Sequence, residues 1–317
     1  MEHLASRRKI WYAISLIVMI PGLISLALYG LNLGIDFTGG TNWVLKFNQS
    51  LQTEEVRAVL EDHGFDNSTV QLSSEDGRDN VAIINMKELQ TGSPEKRELE
   101  AAFRERFGDF VELEIVSVGA SVGNEISRRA VIAVSLASLG ILAYIAFAFR
   151  NTQNPVLYGL CAVAAMLHDV LVVVGIFSIL GKFANVEIDA LFVTALLTVI
   201  GFSVHDTIVV FDRIRENLAR KVASSFEEVV NYSLAQTLVR SLNTSVTVVF
   251  TLLALYLFGG ESTKNFVLAL LIGVISGTYS SIFNASQLLV SWENGEIQRL
   301  FRRLTGRGSD PALAPTR

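Results

Sequence analysis

Six long apolar segments constrain what this chain can fold into more than any other feature. A helix needs about 20 apolar residues to cross the hydrocarbon core of a bilayer. Charged residues make up only 18% of the sequence, whereas roughly a quarter is usual for a soluble domain. We therefore predict an α-helical polytopic membrane protein with six transmembrane helices. The segments cover about residues 10–31, 130–149, 156–180, 190–211, 242–258 and 266–290.

The basic residues beside these segments predict how the chain is oriented in the membrane. Loops that remain in the cytoplasm are enriched in Lys and Arg. Most basic residues near the segment ends fall on the side that carries both termini, whereas the short loops on the other side offer only Lys182 and Lys264. Arg128 and Arg129 are exceptions, but they follow a long polar segment, which counts less in this rule. Both termini are therefore expected in the cytoplasm.

The first apolar segment follows Arg7, Arg8 and Lys9 and in this respect is similar to a signal peptide. Its apolar core is too long and no small-x-small cleavage site follows it, so we expect an uncleaved signal anchor. The expected domains are the cytoplasmic N-terminus and first helix in residues 1–31, an extracytoplasmic domain in 32–124, helices 2 to 6 in 125–292 and a cytoplasmic polar tail in 293–317.

The long polar section after the first segment alternates between strand and helix patterns. The strand patterns are TNWVLKF, STVQLSS, NVAIINM and DFVELEIVSVG, and the helix patterns are TEEVRAVLEDHG and SPEKRELEAAFRERFG. Ser93 and Pro94 are typical of a helix start, and Gly64 and Gly108 are typical of helix ends. The order β-α-β-β-α-β predicts one small ferredoxin-like α+β domain between the first and second membrane helices.

Two His-Asp pairs, His168-Asp169 and His205-Asp206, fall inside apolar segments. An ionisable side chain in a membrane helix is costly, which makes it a candidate functional residue. Ser203 lies on the same helix face as Asp206, so the two could bond a common partner or water. For Asp206 we favour a functional role. Asp169 could equally tie two helices together, and the two histidines fit a structural role better.

Arg240 is a candidate counter-charge for Asp206. It stands at the start of the fifth segment, and Thr244, Thr247 and Thr251 follow it at helical spacing. Near Arg240 the Asp206 carboxylate would be stabilised as an anion, whereas away from it desolvation would favour the protonated form. A helix movement that made and broke this pair would take up and release a proton. In the alternative interpretation, Arg240 only extends to the cytoplasmic interface.

Other patterns point to packing rather than chemistry. Gly273, Gly277 and Ser281 form a ladder of small residues that lets another helix approach closely, either within the chain or from a partner subunit. Cys161 is the one cysteine of the sequence and is expected to be a buried filler. The sequence contains no nucleotide-binding loop and no metal-ligand cluster. Its net charge of −5 does not indicate nucleic-acid binding.

Several motifs together resemble the bacterial SecD/SecF protein-export family. GLNLGIDFTGGT (30–41) resembles the glycine-rich motif of this family, and VGASVGNEISRRA (118–130) resembles the approach to its second membrane helix. IGFSVHDTIVVFDRIREN (200–217) and SLNTSVT after Arg240 are similar to the SecF branch in particular. The resemblance runs through nearly the whole chain in order and stops at the polar tail. The matching motif residues are Gly34, Asp36, Phe37, Gly39 and Gly40.

This resemblance implies an RND-like half-transporter of the bacterial inner membrane. SecF pairs with SecD, and the pair uses the proton-motive force to help the SecYEG translocon export preproteins, which the exported domain would contact. SecA and YidC are further candidate partners. Protons are the coupling ion, and no other cofactor, metal or enzymatic activity is expected. Asp206 matches the family's proton-relay aspartate and Arg240 the arginine associated with it, while SecD would supply a second aspartate.

The supporting residues of this relay are left open by the sequence. The family usually has Asn where this chain has His205, so His205 either joins the relay or only fills the position. Other candidates for supporting the relay are Asp169, His168, Ser203 and Thr244.

Three alternatives compete with the proton-relay interpretation. The chain could be a passive scaffold of the translocon without proton transfer. It could be an intramembrane aspartyl protease with Asp169 and Asp206 as a dyad, although the Gly-x-Gly-Asp context of such enzymes is absent. It could also be a related exporter of small molecules or lipids, although its outer domain is small for that role.

Overall fold

The computed structural model of the chain describes residues 4–75, 78–90, 92–152 and 154–299. The expected polar tail from residue 300 onward lies outside these residues. The helices are α1 (Arg8–Tyr29), α2 (Ile35–Thr38), α3 (Thr53–Asp62), α4 (Pro94–Phe107), α5 (Ala120–Ala148), α6 (Pro155–Ala184), α7 (Ala190–Ala219), α8 (Phe226–Phe258), α9 (Glu261–Ser280) and α10 (Ser286–Glu293). The strands are β1 (Gly40–Phe47), β2 (Thr69–Glu75), β3 (Arg78–Met86) and β4 (Phe110–Val118).

Six helical stretches of the described chain are long and apolar enough to cross a membrane. They are α1, α5, α6, α7, α8 and the continuous stretch Thr263–Glu293, in which the π-helical turn Ser281–Ala285 joins α9 to α10. The predicted six-helix membrane fold is therefore confirmed. By backbone contacts, residues Asn32–Ala133 and Glu187–Val193 form a sheet unit, and the other described residues form a helical unit.

The sheet unit contains the predicted ferredoxin-like arrangement. Its four antiparallel strands have the order β2-β3-β1-β4. Side chains of α3 and α4 pack with β1 and β3 in one hydrophobic cluster that includes Trp43, Leu60, Ile84 and Phe103. The local signals acted as expected, because the Ser93 hydroxyl accepts a hydrogen bond from the Lys96 amide at 3.2 Å and caps α4.

Two elements begin differently from what the patterns predict. Part of the glycine-rich motif forms the short helix α2, an element that the sequence patterns do not predict. α8 begins at Phe226, where Ser225 and Glu228 form a reciprocal capping box, and not near residue 242. Hydropathy missed the first turns of α8 because they are polar. Arg240 therefore lies inside α8 and not at its start.

A polar contact on the sheet supplies a pH-dependent part of the stability of this unit. The Glu112 Oε2 atom lies 2.8 Å from Lys96 Nζ and accepts a hydrogen bond of 2.7 Å from Trp43 Nε1. Burial acts to raise the pKa of Glu112, but the hydrogen bonds from Lys96 and Trp43 outweigh it and hold that pKa below its usual value. Because the folded-state pKa is lowered, this contribution is present above about pH 4.3 and is lost as the pH falls through the folded-state pKa.

We expect Glu112→Gln to lower the free energy of unfolding of the sheet unit by about 1 kcal/mol at pH 7, since charge-assisted hydrogen bonds are lost. The difference from the wild type should shrink as the pH falls below about 4. Urea unfolding of the purified chain, followed by Trp43 fluorescence after Trp11 and Trp292 are changed to Phe, measures this. Glu114→Gln, at an exposed position of the same strand, is the control. Equal effects of both variants at pH 7 would contradict the assignment.

Candidate functional site

Asp206 lies on α7 with 3% of its surface exposed. Its Oδ2 atom is buried and has no hydrogen-bond partner among the described residues. The Ser245 hydroxyl of α8 acts on this carboxyl group. Ser245 in turn accepts a 2.6 Å hydrogen bond from Thr278 of α9. The carboxyl group is thus buried next to α8, while one of its oxygens has no hydrogen-bond partner among the described residues.

Arg240 and His205 are the charged or ionisable groups that act on Asp206. Arg240 attracts the Asp206 carboxylate, and His205 does so in its protonated form. Arg240 forms no direct ion pair with Asp206 in the part of the chain that the structure describes, so the attraction acts at longer range. Both side chains are exposed on the helical unit. Thr244, one turn after Arg240, is also exposed, and its hydroxyl donates to the Arg240 carbonyl oxygen at 3.0 Å.

Asp169 is placed very differently from Asp206. It is fully buried, and its two carboxylate oxygens accept hydrogen bonds from serines of two other helices. The bonds come from Ser203 of α7 at 2.6 Å, and from Ser276 and Ser280 of α9 at 2.7 and 2.5 Å. The arrangement ties α6, α7 and α9 together. The three serine hydroxyls thus occupy most of the acceptor positions of this carboxylate.

His168 completes this cluster on α6. Its Nδ1 atom lies 3.1 Å from Asp169 Oδ1. Its Nε2 atom is buried without a hydrogen-bond partner among the described residues. The ring borders a mostly apolar cavity of about 380 Å³ between α1, α6 and α9, which Ser15, Ser276 and Tyr279 also line.

The common helix face of Ser203 and Asp206 had suggested a shared hydrogen-bond partner, but the two share none among the described residues. The Ser203 hydroxyl donates to Asp169 of α6 at 2.6 Å. The hydroxyl that acts on Asp206 belongs instead to Ser245 of α8. No hydrogen bond joins the carboxyl groups of Asp169 and Asp206 within the described ranges. A protease dyad needs two carboxyl groups that share one proton, so the structure gives that alternative no support. The described residues also contain no cluster of three or more His, Cys, Asp or Glu residues that could hold a metal.

The ladder of small residues on the last membrane helix lies against α7 of the same chain. A Cβ atom on Gly273 would overlap a methyl carbon of Val199, and one on Gly277 would lie 3.0 Å from the Ser203 Cβ. The Ser281 hydroxyl bonds the Ser203 carbonyl oxygen at 3.0 Å. These contacts set the distance between α7 and α9 one turn away from Asp206.

The glycine-rich motif lies in the sheet unit, beside the start of α7. The Asp36 Oδ2 atom accepts a 2.8 Å hydrogen bond from the Ala190 amide, and the Gly34 amide donates to the Ile188 carbonyl oxygen at 2.8 Å. Phe37 is buried. Gly39 and Gly40 have φ angles of +77° and +136°, which side chains other than glycine rarely adopt.

Sequence reasoning missed the hydroxyl groups around both aspartates. Ser276 and Ser280 stand one turn apart on an apolar helix, a spacing that could have marked them as ligands of a buried charge. Ser245 and Thr278 gave no such signal, because single hydroxyl residues are common in membrane helices.

Comparisons with known proteins agree on one family. Residues 98–295 match the family model described as protein export membrane protein SecD/SecF, C-terminal, and residues 24–50 match the SecD/SecF GG motif. The chain is 59% identical to the protein translocase subunit SecF of Thermobaculum terrenum over 98% of both chains. It is 35% identical to the protein translocase subunit SecDF of Bacillus subtilis, over 93% of this chain and 38% of that protein.

A solved structure shows the same relation. The crystal structure of SecDF, described as a translocon-associated membrane protein, from Thermus thermophilus superposes with a TM-score of 0.80 at 33% identity. The match covers 92% of this chain and 38% of that chain. This protein therefore spans less than half of the SecDF proteins and nearly all of the separate SecF subunits that it matches. The chain belongs to the SecF subunits of the SecD/SecF protein-export family.

Proposed function

We propose that this chain is the SecF half of a proton-driven SecD–SecF complex in which Asp206 carries the proton. The observation that carries the proposal is the buried Asp206 carboxyl group with one unpartnered oxygen. A protonated carboxyl is neutral and tolerated among apolar helices, whereas the ionised form is stabilised by positive charge nearby. Arg240 supplies that charge from α8. A change in its distance to Asp206 would shift the balance between the two forms.

The energy available to such a step is sufficient. One elementary charge that crosses a potential of 100 mV gains roughly 2.3 kcal/mol. That free energy corresponds to about fiftyfold in an equilibrium constant. A single proton carried by Asp206 can therefore bias the complex between two conformations on each cycle.

Exposed polar side chains on α7 and α8 indicate that a partner subunit packs against these two helices. An uncovered polar side chain inside the bilayer is costly, so partner helices are expected to cover this stripe. SecD is the natural partner, because the SecDF relatives hold both parts in one chain. The stripe includes the exposed residues His205, Arg240, Asn243, Thr244 and Thr247.

A cross-linker attached at position 243 should reach SecD. In a Cys161→Ser background, which removes the one native cysteine, Asn243→Cys carrying a photoreactive maleimide should cross-link to SecD in membranes. Leu139→Cys on α5, which is also exposed, serves as the control and should label lipid. Equal cross-linking from both positions, or none from residue 243, would contradict this partner face.

The basic residues favour cytoplasmic termini and an exported sheet unit in the bacterial inner membrane. In that orientation the start of α7 and the connection before it also face outward, which agrees with their membership of the sheet unit. The exported unit is the part that would meet preproteins leaving SecYEG. The description of one SecDF relative as translocon-associated supports this placement. SecA and YidC remain further candidate partners.

The function is tested by complementation. Cells depleted of their own SecF receive this chain together with its own SecD, and export of a radiolabelled preprotein is followed with and without a proton ionophore. We expect export to be restored and the ionophore to remove the restored part. Restored export that the ionophore leaves unchanged would contradict proton coupling.

A passive scaffold remains the second candidate, and one observation favours it. Arg240 and Asp206 form no direct ion pair in the described chain, whereas the bonds around Asp169 tie three helices firmly together. A scaffold needs only such ties. It predicts full export from a chain whose Asp206 cannot carry a proton.

A further inference from the structure

The glycine-rich motif and the connection between α6 and α7 form one hydrogen-bonded joint. Residues Leu33 and Ile188 pair as a short parallel bridge. The Gly34 amide donates to the Ile188 carbonyl oxygen at 2.8 Å, and the Ile188 amide donates to the Asn32 carbonyl oxygen at 2.9 Å. All of these residues belong to the sheet unit. The segment that leads into α7 is thus held along its backbone by the motif.

Asp36 extends this joint to the first residue of α7. Its Oδ2 atom accepts the Ala190 amide hydrogen at 2.8 Å, across 154 positions of sequence. The first amides of a helix lack partners within the helix and carry positive partial charge. Asp189 caps the same end, because its Oδ1 atom accepts from the Phe192 amide at 2.9 Å. Burial, with a smaller contribution from the Asp36 charge, raises the pKa of Asp189.

The sheet holds the other side of the same connection. The Asn85 side chain on β3 donates to Glu187 Oε2 at 2.6 Å, and the Asn42 side chain on β1 donates to Asn85 Oδ1 at 2.6 Å. Burial raises the pKa of Glu187. The residues before α7 are therefore fixed to the central strands on one side and to the motif on the other.

The motif also touches the first turn of α5. A Cβ atom on Gly39 would lie 2.7 Å from the Ala120 Cα, and one on Gly123 would lie 2.6 Å from the Phe37 carbonyl oxygen. Two membrane helices thus begin against the same short segment. One of them, α7, continues without a break to Ala219 and carries Asp206.

We propose that Asp36 is a positioning residue for Asp206, because its bond to the Ala190 amide makes the start of α7 follow the exported sheet. This inference rests on the proposed function. It assigns to the motif the task of transmitting movement of the exported unit to the helix of the proton carrier. Asp36 itself touches neither a proton path nor a preprotein.

The test removes the same hydrogen bond from each side. Asp36→Ala deletes the acceptor. Ala190→Pro deletes the donor and keeps the helix, because proline is well accepted at the first helical position. Each change should lower the export rate per assembled complex by about fivefold, a factor that corresponds to the free energy of one helix cap. The double variant should lose no more export than either single variant. Asp36→Asn, which keeps an acceptor oxygen, should restore most of the rate.

A second readout is taken at Asp206 itself. Dicyclohexylcarbodiimide reacts with protonated carboxyl groups in apolar surroundings, and mass spectrometry of the Asp206 peptide gives the labelling rate. Asp36→Ala and Ala190→Pro should both change this rate, whereas Asp62→Ala, at an exposed site of the same unit, should not. An unchanged rate in both variants would overturn the inference whatever the export result. Additive export losses in the double variant would also overturn it. Wild-type export from Asp206→Asn would instead refute the proposed function, and the labelling rates would still decide this inference.

Discussion

Asp206→Asn should stop proton-dependent export while the chain still reaches the membrane and binds SecD. Asn has nearly the same shape as Asp but cannot take up or release a proton. The side chain at position 206 then stays neutral, and the cycle of protonation and deprotonation stops. A charge moved across 100 mV is worth about fiftyfold, and we expect export to fall by at least about tenfold. Pulse-chase export in SecF-depleted cells measures the rate, normalised to the amount of SecD that co-purifies with the variant.

Two further variants make this result specific. Asp206→Glu keeps a proton carrier at a shifted position and should retain partial export that remains sensitive to a proton ionophore. Asp212→Asn removes a carboxylate of the same helix that is exposed and paired with Arg215, and it should export normally. If Asp206→Asn exports like the wild type with unchanged ionophore sensitivity, the relay assignment is wrong and the scaffold function stands.

The sequence predicted those features that depend on neighbouring residues. The six apolar segments, the Ser93 cap and the glycines after α3 and α4 each act within one or two helical turns, so a local pattern contains the information. The early start of α8 was missed although it is also local. Hydropathy detects only the membrane-crossing part of a helix, while the capping box of Ser225 and Glu228 reports its true beginning.

The candidate site could be predicted only in part, because its contacts join distant parts of the chain. The insertion cost of a carboxylate marks Asp169 and Asp206 from sequence alone. It does not show that Asp169 bonds Ser280, 111 positions later, or that Asp36 caps α7. The two aspartates share one local pattern, a His-Asp pair in an apolar segment. Their surroundings separate them, since Asp169 accepts hydrogen bonds from three serine hydroxyls, whereas one oxygen of Asp206 has no hydrogen-bond partner among the described residues.

This difference predicts that substitutions of Asp169 lower stability, in contrast to substitutions of Asp206, which are expected to lower export. Asp169→Ala leaves three serine hydroxyls without their acceptor, and hydrogen bonds between membrane helices average about 0.6 kcal/mol each. We expect the variant to lose about 2 kcal/mol of stability on that basis, with a lower Tm in detergent and less chain in the membrane. Asp169→Asn keeps one acceptor oxygen and should lose less. Ser203→Ala, which removes one hydrogen bond, is the matched control for the smallest loss.

Export separates this structural role from a role in the relay. Divided by the amount of assembled complex, export from Asp169→Asn should equal that of the wild type, and its sensitivity to a proton ionophore should be unchanged. Asp206→Asn should show the reverse, with normal assembly and failed export. A stable, assembled Asp169→Asn chain that exports as poorly as Asp206→Asn would place Asp169 in the proton path. The hydroxyl groups of Ser203, Ser276 and Ser280 would then have to reorient or move away during each cycle, because all three donate to the Asp169 carboxylate in this structure.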